Sequence, residues 1–491
     1  TMTSSKSTKR ALITSALAIL MCAAMLIGAT FAWFTDTAST GVNKIVSGNL
    51  KVDIIGADSD SHIEKLNFTK ATTTDAEAGA EILWEPGCRY LTEGFRIANK
   101  GNLALKWKAQ VNTGTTAANE GNFDLLDVID FYLVTKAADG TETETALDEF
   151  TGNLKKTETS DVYYIKGVMQ TTAGNDYQGL TLDGISITVV ATQDTVESDS
   201  FDNQYDKDAE YPILVTTGDE LQAIVSNATA PVNIVLTNSI TTNNFVIPED
   251  KDVTLDLNGR TVTNAGSHTI LNKGHLTLTD SSADKSGQII SLKGNTAALR
   301  NGDNAVCVVE GGTISRDGAN GNTWHVVENF GKMTFNGGKV VLKNGNGFAI
   351  TNGWNYFDPG ASTTHAVMEI NALELDTDSS GIKNCRYGDL TVNDVTVTST
   401  GYWALSNDYL GTAVINGGTL TSNSFKAVSN GAAMTVNGGT FDGTQGFFVQ
   451  SYATSTVLNG GTFTNMNVNA LSNYVGTGHT AQQSGTSVII K

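Results

Sequence analysis

The sequence predicts an all-β protein, in which an antiparallel β-sandwich is followed by a right-handed parallel β-helix with a short strand–helix cap. Three observations support this fold class. Between residues 33 and 195, apolar and polar residues alternate in short stretches, as half-buried strands require. From about residue 250 onward, a unit of about 22 residues recurs. Glycine is abundant (50 residues) and proline scarce (5), which is typical of many tight turns between strands.

The overall charge and the cysteine pattern exclude several functional classes. The formal net charge is -20, and such a surface repels nucleic acid and anionic lipid. The four cysteines are scattered, with neither the spacing of a disulfide framework nor that of a zinc site. We therefore expect no nucleic-acid partner, no metal and no other cofactor.

The N-terminus has the architecture of an export signal. Lys6, Lys9 and Arg10 precede a run of 22 uncharged, mostly apolar residues, Ala11 to Ala32. This pattern predicts a secretory signal peptide over residues 1–32. A retained membrane anchor is the alternative, because the run is just long enough to span a bilayer. If the segment is a signal peptide, the chain contacts the membrane only through it, before cleavage.

Three motifs resemble one family of exported proteins over roughly residues 10 to 195. They are listed in chain order: Trp33-Phe-Thr-Asp36, Trp84-Glu-Pro-Gly87 and Phe95-Arg-Ile-Ala-Asn-Lys-Gly-Asn-Leu-Ala-Leu-Lys-Trp107. This region resembles the TasA/camelysin family, whose precursors are processed by a SipW-type signal peptidase. The resemblance implies cleavage between Ala32 and Trp33 and a jelly-roll fold for residues 33–195.

The same resemblance implies partners and a location. Family members form fibres in which one subunit lends an N-terminal strand to the next, and strand addition at an exposed sheet edge supplies the physics. The expected partners are therefore copies of this chain or TasA-like matrix fibre subunits, besides the signal peptidase. The expected location is outside the cell, on the surface or in the biofilm matrix of a Gram-positive bacterium.

The residues themselves agree with a sandwich over this region. Leu50, Val52 and Ile54 alternate with polar residues, as half-buried strands do. The segment Asn99-Lys-Gly-Asn102 lies between two further alternating stretches. It predicts a hairpin turn in which Gly101 takes a positive φ.

Two short segments connect the sandwich to the repeats. Residues 196–210 are acidic and poor in apolar residues, which predicts a linker. Residues 211–249 predict a strand and a helix, with Thr217 as the N-cap residue and Glu220 three positions later. Such a unit would cap the open end of a strand stack at residues 250–491.

The repeat carries asparagine at two positions. Asn416, Asn437 and Asn459 occur in Asn-Gly-Gly-Thr motifs that are 21 and 22 residues apart. A second asparagine follows a small or apolar pair, and Gln450 takes this place in one copy. Stacked coils would align these side chains in a hydrogen-bonded ladder. The predicted ladder consists of Asn272, Asn301, Asn329, Asn352, Asn384, Asn407, Asn430 and Asn473.

No catalytic residues are recognisable by sequence. Polysaccharide lyases and hydrolases need clustered carboxylates, often with a basic partner. Five aspartates lie near one another in the sequence and either line one face or are simply solvated: Asp376, Asp378, Asp389, Asp394 and Asp408. The histidines show no metal-binding spacing.

Aromatic residues are the stronger indication of a binding site. Trp324, Trp403, Phe425 and Phe447 each precede a ladder position by three to five residues. Facing outward they would form a stripe that stacks on sugar rings, and facing inward they would form an aromatic core. Trp354 and Tyr356 lie in an insertion between repeats and predict an exposed patch. The candidate ligand-stacking residues are Trp324, Trp354, Tyr356 and Trp403.

Three functions follow from these observations. The first is a non-enzymatic surface or matrix protein, associated with fibres through its N-terminal module, whose β-helix presents a binding face for a ligand such as a polysaccharide. The second is a secreted polysaccharide lyase or glycoside hydrolase on a β-helix. The third is a purely structural stalk.

We expect the exported protein to begin at Trp33. The small residue at position 32 suits a signal peptidase, and Trp33-Phe34 would become an apolar strand freed by cleavage. N-terminal sequencing of secreted protein should read Trp33 first. Electron microscopy should show protein that begins at Trp33 forming filaments or joining host fibres, and protein that begins at Gly48 doing neither. An uncleaved N-terminus in the membrane fraction would contradict this prediction.

Overall fold

The computed structural model describes most of the chain after the predicted signal segment. The described residues are 50–63, 66–69, 84–112, 115–116, 123–147, 150–180, 182–183, 186–194, 210–317, 324–345, 347–354 and 364–491. The predicted cleavage site at Ala32 and Trp33, and most of the predicted linker, lie outside these residues.

The N-terminal part is built from antiparallel sheets. Among the described residues, seven strands form one sheet, namely Val52–Gly56, Phe68–Thr69, Arg89–Thr92, Phe95–Asn99, Ile129–Lys136, Glu142–Ala146 and Tyr163–Met169. Three strands form a second sheet, Leu105–Asn112, Phe150–Leu154 and Ser186–Gln193, and Thr115–Thr116 pairs with Leu182–Asp183. Short 3-10 helices lie at Leu125–Asp127 and Asn175–Tyr177.

The two larger sheets share one core. Phe95 and Ile97 come from the seven-stranded sheet, and Leu105 and Trp107 come from the three-stranded sheet. Strand Leu105–Asn112 buries every second residue, as the alternating sequence predicts. Gly152 on the neighbouring strand lets the Trp107 ring pack against the backbone, because a Cβ there would lie 2.7 Å from that ring.

The predicted hairpin at residues 99–102 is wrong. The strand that ends at Asn99 pairs with Val52–Gly56 in one sheet, whereas the next strand pairs with Phe150–Leu154 in the other. The segment is therefore a corner between sheets, held by the buried Asn99 side chain. Its Nδ2 donates to the carbonyl oxygens of Leu103 (2.7 Å) and Lys155 (3.1 Å), and its Oδ1 accepts from the Gly101 N–H.

A ten-residue helix, Gly218–Asn227, packs at the start of the β-helix. Thr217 accepts a hydrogen bond from the Glu220 N–H, as the sequence predicts for an N-cap residue. The Glu220 carboxylate in turn accepts from the N–H of Thr216 rather than that of Thr217. Leu221 and Val225 face the core, so the helix covers the open end of the strand stack.

The rest of the chain is a parallel β-helix with three sheets. In the described residues, sheet 1 contains Ile213–Val215, Val232–Leu236, Asp252–Asp256, His275–Thr279, Val306–Val309, Lys332–Phe335, Ala366–Ile370, Gly388–Val392, Thr412–Ile415, Ala433–Val436 and Ser455–Leu458. Sheet 2 contains Ile240–Thr242, Thr261–Asn264, Gln288–Ser291, Thr313–Asp317, Lys339–Lys343, Glu374–Thr377, Thr396–Ser399, Thr419–Ser422, Thr440–Gly443 and Gly461–Phe463. Sheet 3 contains Phe245–Ile247, Ile270–Asn272, Leu299–Asn301, Val327–Asn329, Phe348–Asn352, Ser380–Asn384, Leu405–Asn407, Val428–Asn430 and Phe447–Val449.

Each coil contributes one strand to each sheet in turn. The first complete coil starts at Val232, inside the segment 211–249 that the sequence assigned to the cap. Apolar residues align from coil to coil inside the helix, as Leu255, Leu278, Val309 and Phe335 do in sheet 1. Burying each such side chain contributes about 1.5–3 kcal/mol. One continuous core therefore runs the length of the stack.

The Asn-Gly-Gly motifs form the turn between sheets 1 and 2. The second glycine has a positive φ, 94° at Gly418 and 107° at Gly439. At Gly418 a Cβ would also lie 2.6 Å from the Val395 carbonyl oxygen of the preceding coil. Both the backbone conformation and the close stacking therefore require glycine.

A row of fully buried asparagines consists of the last residues of seven sheet 3 strands. Each Nδ2 except that of the last member donates to the Oδ1 of the next coil's asparagine, at 2.7 to 2.9 Å. The members of this inner amide row are Asn272, Asn301, Asn329, Asn352, Asn384, Asn407 and Asn430. Most also donate to a backbone carbonyl of the following coil, as Asn384 does to Thr412 at 2.8 Å. These bonds fix the orientation of the amides and satisfy buried turn groups.

Asparagines at the turns between sheets 1 and 2, four of them in Asn-Gly-Gly motifs, form a second row on the surface. In this outer amide row, each Nδ2 donates to the preceding coil, as Asn459 does to Asn437 at 2.9 Å. The remaining links are Asn437 to Asn416, Asn416 to Asn393, Asn393 to Asn371 and Asn371 to Asn336. The row ends where Asn336 donates to the Glu310 carboxylate at 2.8 Å. A carboxylate can only accept, so this end fixes the direction of the donors in the outer row. They point toward the N-terminal coils, whereas those of the inner row point toward the C-terminal coils.

The C-terminus closes the stack. A short helix, Val468–Leu471, leads to a 3-10 helix at Ser472–Tyr474. The antiparallel strands Ala481–Ser484 and Ser487–Ile490 then extend sheet 2. Asn473 is exposed in the 3-10 helix and does not belong to the inner amide row, because the chain has left the coil pattern there. Within the described residues, no helix is both long and apolar enough to cross a membrane.

Replacing Asn430 by leucine should destabilise the β-helix by about 1–3 kcal/mol, because the substitution leaves buried polar groups without partners. Asn430 accepts from Asn407 and donates to the carbonyl oxygen of Ser455 at 3.0 Å. Chemical denaturation of the full chain measures the change. Asn437→Leu, in the exposed outer row, is the control and should cost less. Equal losses in the two variants would contradict a special role of the buried row.

Candidate functional site

The outer surface of sheet 3 carries the candidate site, which we call the third-sheet face. In each strand the residue before the inner-row asparagine points outward, and these residues stack in register from coil to coil. They are Leu271, Arg300, Glu328, Thr351, Lys383, Ser406 and Ser429, and Phe448 continues the row in the next coil, where it precedes Val449. Glu328, Thr351, Ser406 and Ser429 are covered by their neighbours and are buried, whereas Arg300, Lys383 and Phe448 reach the solvent. The face is therefore polar along most of its length and ends on an aromatic ring.

Two ion pairs lie on this face. Arg300 contacts the Glu328 carboxylate at 3.0 Å, and Glu328 is almost fully buried. Burial raises the pKa of Glu328, and the positive charge of Arg300 acts against this shift. Lys383 pairs with Asp408 at 3.0 Å. Burial of Lys383 acts to lower the pKa of its ammonium, but the Asp408 carboxylate contributes to a net rise.

A row of aromatic rings borders the face where sheet 2 leads into sheet 3. The rings of Phe348 and Trp403 are nearly parallel, with centroids 6.0 Å apart. Phe425 meets Trp403 edge to face at 5.5 Å. At the other end, His325 lies between Trp324 (5.8 Å) and Phe348 (6.4 Å). These five rings are all partly exposed, so the row is accessible along one edge of the face.

The four aromatic residues that the sequence placed together are separated by the structure. Trp324, Trp403 and Phe425 lie outside the core and are partly exposed. Phe447 is buried in the core between Phe441 (5.8 Å) and Phe463 (5.3 Å). Both alternatives therefore apply, the outward arrangement to three of these residues and the inward arrangement to one.

Trp354 also borders the third-sheet face, on the side where sheet 3 leads into sheet 1. Its ring packs on Phe330 with centroids 4.4 Å apart, and the Arg300 guanidinium lies over Phe330 at 4.6 Å. Trp354 thus connects the aromatic residues to the Arg300–Glu328 pair. Tyr356 lies outside the described residues.

Several residues of the face carried no recognised signal in the sequence. Tyr402 and Tyr452 flank the C-terminal coils and are 52% and 60% exposed. Tyr452 packs over Gly431, where a Cβ would lie 2.8 Å from the ring. Lys383 and Ser406, which belong to the third-sheet face, are likewise not among the site residues that the sequence predicts. The signal that could have found them is their position immediately before each inner-row asparagine.

The aspartates do not line one face. Asp376 pairs with Lys343 on sheet 2, and Asp389 pairs with His365 on sheet 1. Asp408 lies beside sheet 3, where it pairs with Lys383. Three sides of the helix thus share these carboxylates, because successive strands of one coil turn to different sides. The described residues contain no group of three or more His, Cys, Asp or Glu side chains that could hold a metal.

His325 connects the face to the stability of the coil. The Phe348 N–H donates to its Nδ1 at 3.2 Å, so the neutral imidazole acts as the acceptor. Burial lowers the pKa of His325 to about 4. His268 accepts from the Ala297 N–H in the same way, and burial lowers its pKa to about 4 as well.

These shifts predict a loss of stability in acid. Between the unfolded pKa of 6.5 and the folded value of about 4, the imidazole binds a proton only in the unfolded chain. The free energy of unfolding therefore decreases as the pH is lowered through this range. The expected loss at His325 is about 1–3 kcal/mol, and it is complete once the pH is below the folded value. Thermal melts across this range test the effect. His325→Asn, which retains an acceptor, should lose less stability, and an unchanged pH dependence would contradict the assignment.

Comparison with known proteins finds no family model that matches the chain and no similar curated protein. The fold and the third-sheet face are therefore the basis for a functional conclusion.

Proposed function

We propose that this chain is an exported protein of a bacterial surface or biofilm matrix, whose β-helix binds a saccharide at the third-sheet face. One observation carries the binding part of the proposal. Partly exposed rings, from Trp324 to Phe425, border a strip of polar side chains in which Arg300 and Lys383 are partly exposed. Sugar rings have apolar faces and polar edges, so aromatic rings beside hydrogen-bonding groups suit them.

The charged groups of the face support binding rather than bond cleavage. Glu328 is nearly fully buried against Arg300, and Asp408 is held by Lys383 and by the Ser406 hydroxyl at 3.0 Å. A hydrolase or lyase needs a carboxylate or a base that is free to exchange a proton with the substrate. A polysaccharide lyase or hydrolase is therefore the second candidate, and a structural stalk is the third.

The location and the assembly rest on the N-terminal sequence. A basic segment followed by the apolar run Ala11 to Ala32 supports export, and the TasA-like motifs support association with fibres through the N-terminal module. In this proposal the sandwich joins copies of itself or matrix subunits, and the β-helix extends outward and presents the third-sheet face. A Gram-positive host and processing by a SipW-type peptidase are parts of the same proposal.

Replacing Tyr402 by alanine should weaken saccharide binding about tenfold, because the variant removes an exposed ring from the edge of the face. Glycan-array binding by the full-length chain identifies ligands, and titration calorimetry measures the change. Val457→Ala is the control, since Val457 is exposed on sheet 1, away from the third-sheet face. Absence of any saccharide binding by the unmodified protein would sink the proposal. Release of new reducing ends or of unsaturated sugars would favour the enzyme instead.

A further inference from the structure

Lys426 differs from the other lysines that stack between coils. Lys339, Lys343 and Lys383 each pair with a carboxylate of the following coil, at 2.5 to 3.0 Å. In the described part of the chain, Lys426 has no carboxylate within ion-pair distance. Its ammonium lies over two rings instead, 3.8 Å from the centroid of Phe448 and 4.8 Å from that of Phe425.

The position of Lys426 places an uncompensated positive charge on the third-sheet face. Arg300 and Lys383 each pair with a carboxylate, Glu328 and Asp408, whereas Lys426 adds a positive charge that no ion pair among the described residues neutralises. The whole chain carries a formal net charge of -20. This net charge repels anions from most of the surface, so the attraction of an anionic group must come from a local cation such as Lys426.

We propose that the C-terminal coils of the third-sheet face bind an anionic saccharide, with Lys426 receiving a carboxylate or sulfate group of the sugar. This inference rests on the saccharide binding proposed above and names its ligand class. Tyr402 and Tyr452, both more than half exposed, flank this position and supply rings for the sugar faces.

The two rings under Lys426 hold the ammonium in place. A lysine side chain is flexible, and ordering it on binding costs entropy. Contact with Phe425 and Phe448 restricts that motion in advance, and it leaves the charge available because a ring does not neutralise it. Phe448 is itself 39% exposed, so the ammonium is held at the surface and not in the core.

The spacing of the coils sets the size of the ligand. Tyr402, Lys426 and Phe448 belong to three successive coils, as the pairing of Leu405, Val428 and Phe447 shows. Successive coils lie about 4.8 Å apart, so these residues span about 10 Å along the helix axis. That length fits an oligosaccharide that lies along the stack and not a single sugar.

The experiment compares three probes on the full-length chain by titration calorimetry. They are an oligouronate, the same oligosaccharide with its carboxylates methyl-esterified, and a sulfated neutral oligosaccharide. We expect an anionic probe to bind at least tenfold more tightly than the ester, and to weaken as salt rises. The carboxylated and sulfated probes distinguish the two sources of negative charge.

Lys426→Met tests the residue itself, since methionine keeps an unbranched side chain over the rings. The variant should lose about tenfold in affinity for the anionic probe and leave binding of the ester unchanged. Lys426→Arg keeps the positive charge and should retain the preference for the anionic probe over the ester. This variant still tests the role of the charge if Lys426→Met folds poorly. Lys332→Met, exposed on sheet 1, is the matched control.

The two proposals fail in different ways. Equal affinity for the ester and the oligouronate, with no tighter binding of the sulfated probe, would overturn the anionic inference and leave saccharide binding intact. An anionic preference that persists in Lys426→Met would also overturn the role of Lys426. Absence of binding by every probe and by the glycan array would overturn both proposals.

Discussion

The inner amide row is the constraint on which the rest of the β-helix depends. Each coil must leave sheet 3 at the same place, and the turn there is buried between neighbouring coils. Asn384 shows how one side chain solves this problem, since it accepts from Asn352, donates to Asn407 and donates to the Thr412 carbonyl. An unsatisfied amide at this depth would cost about 1–3 kcal/mol, so only a coil that is aligned with its neighbours is stable.

This alignment creates the third-sheet face. Once the asparagines are stacked, the residue before each of them must point outward, because side chains alternate along a strand. Lys383, Ser406 and Ser429 are about 23 residues apart in the sequence and become neighbours on one surface. The aromatic residues of the preceding turns then lie beside this surface. The chemistry of the face is thus assembled from residues that no local motif connects.

The outer amide row supports the same alignment from another side. It crosses the turns between sheets 1 and 2, where Gly418 and Gly439 take backbone conformations that other residues rarely adopt. Its hydrogen bonds run toward the N-terminus and end at Glu310, whereas those of the inner row run toward the C-terminus. The exposed row competes with water for its bonds, so it contributes less to stability than the buried row.

The repeat, the all-β fold class and seven of the eight ladder asparagines could be predicted from the sequence, because the period of about 22 residues and the recurring Asn are local features. Asn473 was the exception, because the chain leaves the coil pattern before it. Tertiary structure decided which aromatic residues face outward. The repeat pattern aligns Gln450 with Asn430, but Val449 occupies that position in the structure. Phe447 therefore pairs with Val428 and points inward. Trp403 lies two residues before Leu405, in the turn, and stays outside. Moving the register of a strand by one residue turns each of its side chains to the opposite side of the sheet. Only the pairing between coils determines that register.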